Sequence, residues 1–230
     1  MKKTLSDGLP QLGLSLSDET QETLCAFGEA VVEQNKVMNL TAITEPTQVA
    51  KLHLLDSLSL LTLVDLAGKR MIDIGCGAGF PGVPVKIACP QVELTLLDSL
   101  GKRMQWLETI LPTLGVEATC ITARAEEAVA DRRECYDVAT SRAVARLRIL
   151  LELTAPYVKV GGSVLAMKGA ATGEELAEAK NAITKLGLQL ERVAEFPIDG
   201  TAHKVIVLKK IAPTPKQYPR RYAKIKQNPL

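Results

Sequence analysis

One ten-residue stretch constrains this chain more than any other: Asp73-Ile-Gly-Cys-Gly-Ala-Gly-Phe-Pro-Gly82. It follows the apolar pair Met71-Ile72 and places glycine at 75, 77, 79 and 82. A short apolar strand that runs into such a turn is the opening of a βαβ unit. Glycine there permits positive φ and lets a ligand approach the backbone closely. The helix expected over PGVPVKIAC (81–89) presents unpaired N–H groups at its start.

The rest of the chain agrees with that opening. Strands are expected at VELTLLD (92–98), TCITA (119–123), YDVATSRA (136–143) and SVLAMKG (163–169). Helices are expected at 99–115, 125–134, 147–159 and 174–187. This alternation implies a parallel sheet covered by helices on both faces. LERVAEFPI (190–198) and HKVIVLKKI (203–211) follow one another with only Asp199-Gly200-Thr201 near the turn. A parallel crossover needs about a dozen residues, so this pair is expected as an antiparallel hairpin at one side of the sheet. Residues 1–66 read as helical. Ser17-Asp18-Glu19 suits a helix start ahead of Leu24, Phe27 and Val31. A second helix is expected from Pro46, burying Val49, Leu52, Leu55 and Leu58. The tail 212–230, rich in proline and basic residues, is expected to be irregular. The expected organisation is a helical extension (1–66), a cofactor-binding domain (67–211) and a basic tail (212–230).

The glycine loop admits two cofactor readings. Gly77-x-Gly79-x-x-Gly82 matches the dinucleotide fingerprint, a weak signal alone. Asp73-x-Gly75-x-Gly77-x-Gly79 matches the first motif of class I S-adenosylmethionine (AdoMet) methyltransferases. Asp73 and Gly75 at the strand end and the antiparallel final hairpin favour the second reading. Asp98, which closes the next strand, suits ribose hydroxyls under either. Ala125 and Glu126 follow the third strand and are placed at an adenine edge. Thr140-Ser141-Arg142-Ala143 closes the fourth, where methyl donor and acceptor meet outside the carboxyl ends of the strands.

Several separated motifs together resemble a specific family. They are NLTAIT (39–44), HLLDSL (53–58), DIGCGAGFPGVPVKI (73–87), LLDSLGKRMQWL (96–107), ARAEE (123–127) and TSRAVA (140–145). They resemble the bacterial small-subunit rRNA guanine-N7 methyltransferases, the RsmG or GidB family, from about residue 20 to the tail. The tail departs from the family pattern, lacking its Gly and Pro ahead of the last residues. The resemblance implies N7 methylation of one guanine in 16S rRNA, with AdoMet as cofactor. It places AdoMet contacts at Gly75, Phe80, Ala125, Glu126 and Arg142, with Asp98, Ser99 and Leu100 at the ribose. The expected cofactor set therefore runs Asp73, Gly75, Gly77, Gly79, Phe80, Asp98, Ser99, Leu100, Ala125, Glu126 and Arg142. The expected fold is α/β: a class I AdoMet-dependent methyltransferase (Rossmann-like) sheet with an antiparallel C-terminal hairpin and an N-terminal helical extension.

Guanine N7 carries an in-plane lone pair and no proton, so no general base is required. No catalytic residue is expected, and rate enhancement rests on positioning. Candidates for holding RNA are His53, Asp56, Lys102, Arg103, Arg142, Arg146, Lys168, Arg220 and Arg221. With aromatics at 3% of residues, a base-stacking sheet is not expected. Two alternatives share the loop: a methyltransferase for a small molecule, and a non-enzymatic AdoMet or NAD sensor.

Charge sharpens the RNA reading. The net +2 excludes a generally basic protein. Yet residues 200–230 hold eight Lys and Arg and no acid, leaving net −6 for residues 1–199. That segregation suits phosphate contacts. The expected partner is 16S rRNA or the 30S subunit, met by a monomer. No signal peptide, membrane span or metal site is expected, and five cysteines with no CxxC spacing suit a reducing cytoplasm.

Overall fold

The computed structural model describes residues 1–198 and 200–230, with the side chains of Thr201 and Ala202 excepted. Asp199, in the expected turn, lies outside the described residues. The N-terminal part holds α1 (Lys2–Gly8), a 3-10 turn and α2 (Asp18–Met38). Ser17 caps α2 by accepting from the Thr20 N–H at 3.2 Å. A second helical stretch begins with α3 (Pro46–Val49). It widens into a π-helical turn over Ala50–Leu55, then continues through α4 (Asp56–Leu58) and a 3-10 turn to Thr62.

The sheet begins with β1 (Arg70–Ile74), followed by α5 (Gly82–Ala88) and β2 (Glu93–Asp98). It continues through α6 (Gly101–Thr113), β3 (Thr119–Thr122), α7 (Ala125–Ala128) and β4 (Tyr136–Arg142). Next come α8 (Leu147–Thr154), β5 (Val158–Lys168), α9 (Thr172–Glu178) and α10 (Lys180–Lys185). β6 (Leu188–Ile198), β7 (Thr201–Lys210) and α11 (Tyr222–Gln227) complete the chain. Strand order is β3-β2-β1-β4-β5-β7-β6. The first five strands are parallel, whereas β7 is antiparallel to both β5 and β6. The order reverses between β1 and β4, and a ligand crevice belongs outside the carboxyl ends there.

Two apolar clusters sandwich the sheet. One joins Leu24, Phe27 and Val31 of α2 with Val83 of α5 and Leu107 of α6, so the N-terminal helices share a core with one face. The other joins Leu150 and Leu151 of α8 with Tyr157, Leu186 and Ile225 on the opposite face. Burial of these side chains is the main driving force for the three-layer arrangement.

Four expectations need correction. The helix expected over 147–159 stops at Thr154, and β5 already begins at Val158. The helix expected over 125–134 stops at Ala128 and gives way to turns. The helix expected over 174–187 is broken at Ala179 into α9 and α10. The tail is irregular over 212–221, as expected, but it then forms α11 and is anchored to the domain. Arg133 donates to the carbonyls of Thr214 and Tyr218, and Arg220 pairs with the wholly buried Glu152 at 2.6 Å. No helix among the described residues is long and apolar enough to cross a membrane.

Candidate cofactor and substrate site

A cavity of about 1180 Å³ opens over the carboxyl ends of β1 to β5. Its floor at β1 is the glycine loop. The N–H groups of Gly75 and Cys76 both donate to the Leu97 carbonyl, at 2.7 and 3.2 Å, which folds the loop across onto β2. Gly75 has φ +71° and Gly77 has φ +57°, the region only glycine enters readily. A Cβ on Gly75 meets Val144 Cγ2 at 2.4 Å. A Cβ on Gly77 meets only Arg103 Nη1, at 3.8 Å. Gly75 is therefore small for packing as well as conformation, whereas Gly77 leaves its space open.

Asp98 ties the loop to β2. Its Oδ2 accepts from the Gly77 N–H at 3.0 Å and its Oδ1 from the Leu100 N–H at 2.9 Å. Each oxygen keeps a lone pair for an incoming hydroxyl, and Asp98, Ser99 and Leu100 all line the cavity. Ala125 and Glu126 line it beyond β3, where Glu126 Oε1 accepts from the Tyr222 N–H at 3.3 Å. The tail thus forms part of the wall at that end.

Asp73 and Gly79 differ from the expected arrangement, since neither lines the cavity. Asp73 is wholly buried beneath the loop, and its Oδ2 accepts from the Gly82 N–H at 2.8 Å. It holds the loop against the start of α5. A Cβ on Gly79 meets Val83, Leu107 and Phe27 within 3.1 Å, so its role is close packing.

Burial pushes the Asp73 carboxyl up to about 7, against the Gly82 N–H and Arg142, which favour the anion. Its Oδ1 has no hydrogen-bond partner among the described residues. The folded protein therefore holds this proton up to about pH 7, whereas the unfolded chain releases it near 3.8. Ionisation costs stability as pH rises through that window. Asp73→Asn removes the titration, so its Tm relative to wild type is expected to increase from pH 4 to pH 7. A difference that does not change with pH would show that Asp73 stays ionised.

The β4 side of the cavity is organised by Arg142. Its Nη1 donates to the Leu52 carbonyl at 2.7 Å and to Asp56 Oδ2 at 3.1 Å. Its Nη2 lies 3.0 Å from His53 Nδ1. The same Nδ1 lies 3.1 Å from the Leu52 carbonyl, and Nε2 shares a 2.8 Å hydrogen bond with Thr41 Oγ1. Burial, with Arg142 adding to it, pushes the His53 imidazole down to about 4, so it is neutral near pH 7. Asp56 Oδ1 is shared with His203 Nδ1 at 3.0 Å. Phe80 stacks on His53 with centroids 4.6 Å apart and lies under the Arg142 guanidinium at 5.3 Å. The π-helical turn thus brings His53 and Asp56 onto one cation 86–89 residues away.

The remaining candidates divide. Arg103, Arg146 and Lys168 line the cavity; Lys102, Arg220 and Arg221 do not. Lys102 and Arg221 are exposed. Arg146 pairs with Glu174 and Glu178, and Lys168 with Glu175. Arg220 is ion-paired with Glu152. Thr41, Glu175, His203 and Tyr222 also line the cavity and were not singled out as candidates. Thr41 lies within NLTAIT, the only one of the four with a local signal. The others reach the cavity only through the packing of α9, β7 and α11.

The family model for rRNA small subunit methyltransferase G (GidB) matches residues 20–203. The chain belongs to that family. A relative from Desulfitobacterium hafniense, named ribosomal RNA small subunit methyltransferase G, is 44% identical, covering 96% of this chain and 93% of its own. One of the same name from Acetivibrio thermocellus is 41% identical over 100% and 97%. Solved structures support the fold. M. jannaschii TYW2 in complex with AdoMet aligns at TM-score 0.53 and 14% identity over 64% of this chain and 72% of that one. A 16S rRNA adenine methyltransferase from Catenulisporales acidiphilia aligns at TM-score 0.54 and 17% identity over 65% and 88%. As a GidB-family methyltransferase, the protein has the expected α/β, Rossmann-like architecture, with Arg142 at the β4 strand end.

Proposed function

We propose that this protein uses AdoMet to methylate N7 of a guanine in 16S rRNA, acting as a monomer in the bacterial cytoplasm. The carrying observation is the single cavity with two unlike halves, in a chain of this family. Over β1 to β3 it offers the glycine cradle, the Asp98 carboxylate and the walls at Ala125 and Glu126. Over β4 and β5 it offers Arg142, Lys168 and Arg146.

The first half fits AdoMet. Gly77 leaves open the space a Cβ takes, and Asp98 keeps lone pairs for two ribose hydroxyls. AdoMet supplies an electrophilic methyl group on a sulfonium. The residues of this chain hold and orient. The two carboxyl oxygens of Asp56 are engaged by Arg142 and His203, and both ring nitrogens of His53 by Arg142, Leu52 and Thr41. These groups position Arg142, and none is offered as a base, which suits a nucleophile with no proton to lose. The Arg142 guanidinium, anchored on both its terminal nitrogens, suits the O6 or phosphate oxygens of the acceptor.

Transfer of labelled methyl from AdoMet tests the reading. Unmodified 30S subunits, naked 16S rRNA and a metabolite pool are offered in parallel, and the product nucleotide is mass-mapped. Label is expected in one 7-methylguanosine of 16S rRNA. Incorporation only into small molecules would overturn the RNA assignment.

A further inference from the structure

We propose that Lys168 and Glu175 together read the acceptor base, selecting guanine over adenine through its O6 and N1–H. The proposal rests on the reading that a guanine enters the β4–β5 half of the cavity. Arg142 sits beside Met167 across the β4–β5 pairing, so Lys168 is the next residue out at the same carboxyl edge. Its Nζ lies 2.8 Å from Glu175 Oε2, and the two side chains are only 9% and 14% exposed.

A buried ion pair is costly to desolvate unless its remaining hydrogen-bonding capacity is met. This pair is met on the protein side and open on the cavity side. Lys168 Nζ donates to Ala145 O at 2.5 Å and is ion-paired with Glu175 Oε2, so donor capacity remains for a group in the cavity. Glu175 Oε2 also accepts from the Leu147 N–H at 2.6 Å. Its Oε1 makes no hydrogen bond among the described residues and remains accessible. The neighbouring charges do not compete, because Arg146 is occupied by Glu174 and Glu178. The cavity is therefore offered one donor and one acceptor side by side, held by the backbone of Ala145 and Leu147.

Guanine presents the complementary order, acceptor O6 beside donor N1–H. Adenine presents the reverse, donor N6 beside acceptor N1. Reading this edge leaves N7 free to face the other half of the cavity. The pair also suits the charge change of the reaction. As N7 takes the methyl group, the positive charge of the sulfonium passes to the purine. A lone lysine would oppose that, but Lys168 is neutralised by Glu175. The N1–H becomes more acidic in the product, so its bond to Glu175 tightens as transfer proceeds.

The test uses 30S subunits reconstituted from unmodified 16S rRNA, with the methyl-accepting position, mapped with wild-type protein, holding guanine, inosine or adenine. Wild type is expected to accept guanine and inosine comparably, since inosine keeps O6 and N1–H, and to reject adenine. Lys168→Met and Glu175→Gln are expected to lose about 10–100-fold in kcat/KM on guanine, the range for a well-placed two-point base contact. Their preference for guanine over adenine is expected to collapse, because the glutamine amide can donate to adenine N1. AdoMet affinity is expected to be unchanged. Variants that keep the guanine preference, or that lose AdoMet binding instead, would overturn the proposal. No transfer to any rRNA by wild type would refute the function itself, a separate result.

Discussion

Gly75→Val is expected to weaken AdoMet binding by at least about 30-fold, because backbone strain and overpacking each cost about 1–3 kcal/mol. Gly75 sits at φ +71°, where a β-branched residue is a genuine outlier. Its Cβ would lie 2.4 Å from Val144 Cγ2, so strain is joined by a direct clash. Relief requires moving the loop off the Leu97 carbonyl or displacing Val144. The first movement disrupts the cradle that Asp98 ties to β2. The second disturbs the turn beside Arg142, already strained by Ala143 at φ +57°. Gly115 provides the control. It has φ +66°, but a Cβ there meets nothing within 4 Å, and it does not line the cavity. Gly115→Val should lower Tm and leave AdoMet affinity intact. Isothermal titration of both variants decides the matter. Near wild-type affinity in Gly75→Val would remove the loop from the cofactor site.

Arg220→Met should destabilise the protein by about 3–5 kcal/mol, the usual consequence of removing one partner from a buried ion pair. Glu152 is wholly buried on α8. It accepts from Arg220 Nε at 2.7 Å, from Nη2 at 2.6 Å and from the Arg220 backbone N–H at 2.9 Å. Methionine keeps much of the packing but leaves the carboxylate without its cation. The loss extends to the site, since Tyr222, two residues on, braces Glu126 and lines the cavity. AdoMet affinity should therefore fall together with stability in denaturant titrations. Adding Glu152→Gln should recover part of the stability, because the unpaired charge is removed. Unchanged unfolding in Arg220→Met would mean that the tail is not anchored through this pair.

The tail shows how far charge patterning carries. Counting residues shows that cations gather after Gly200, and the inference of a phosphate-facing end follows directly. Counting does not show which cations are free. Arg220 and Lys210 carry the same formal charge as Lys216 and Arg221, yet the first two are held by Glu152 and Glu134, and the last two are exposed. Their acidic partners lie 68 and 76 residues away in the chain.

The same division runs through the site. Gly75, Gly77, Asp98, Ala125 and Glu126 were legible because each sits at the end of a strand whose period and turn chemistry are local. The alternation of strands and helices follows from the same short-range signals, and so does the antiparallel hairpin, from a connector too short for a crossover. Motif matching also named Asp73, but depth is not a property of a motif. Only packing placed it beneath the loop, where burial raises its carboxyl and its work is to hold Gly82. Arg142, His53, Asp56, Thr41 and His203 converge from four segments because β4, the helical stretch after Pro46, the loop at Thr41 and the start of β7 meet at the carboxyl end of the parallel strands. Lys168 and Glu175 meet because α9 folds back over the end of β5. The sequence by itself placed the groups of the proposed cofactor half, which follow one another along consecutive strand ends. In the proposed acceptor half the sequence named Arg142, His53, Asp56 and Lys168, but only tertiary structure decided how they pair, because these polar groups find partners only when distant segments are buried against each other.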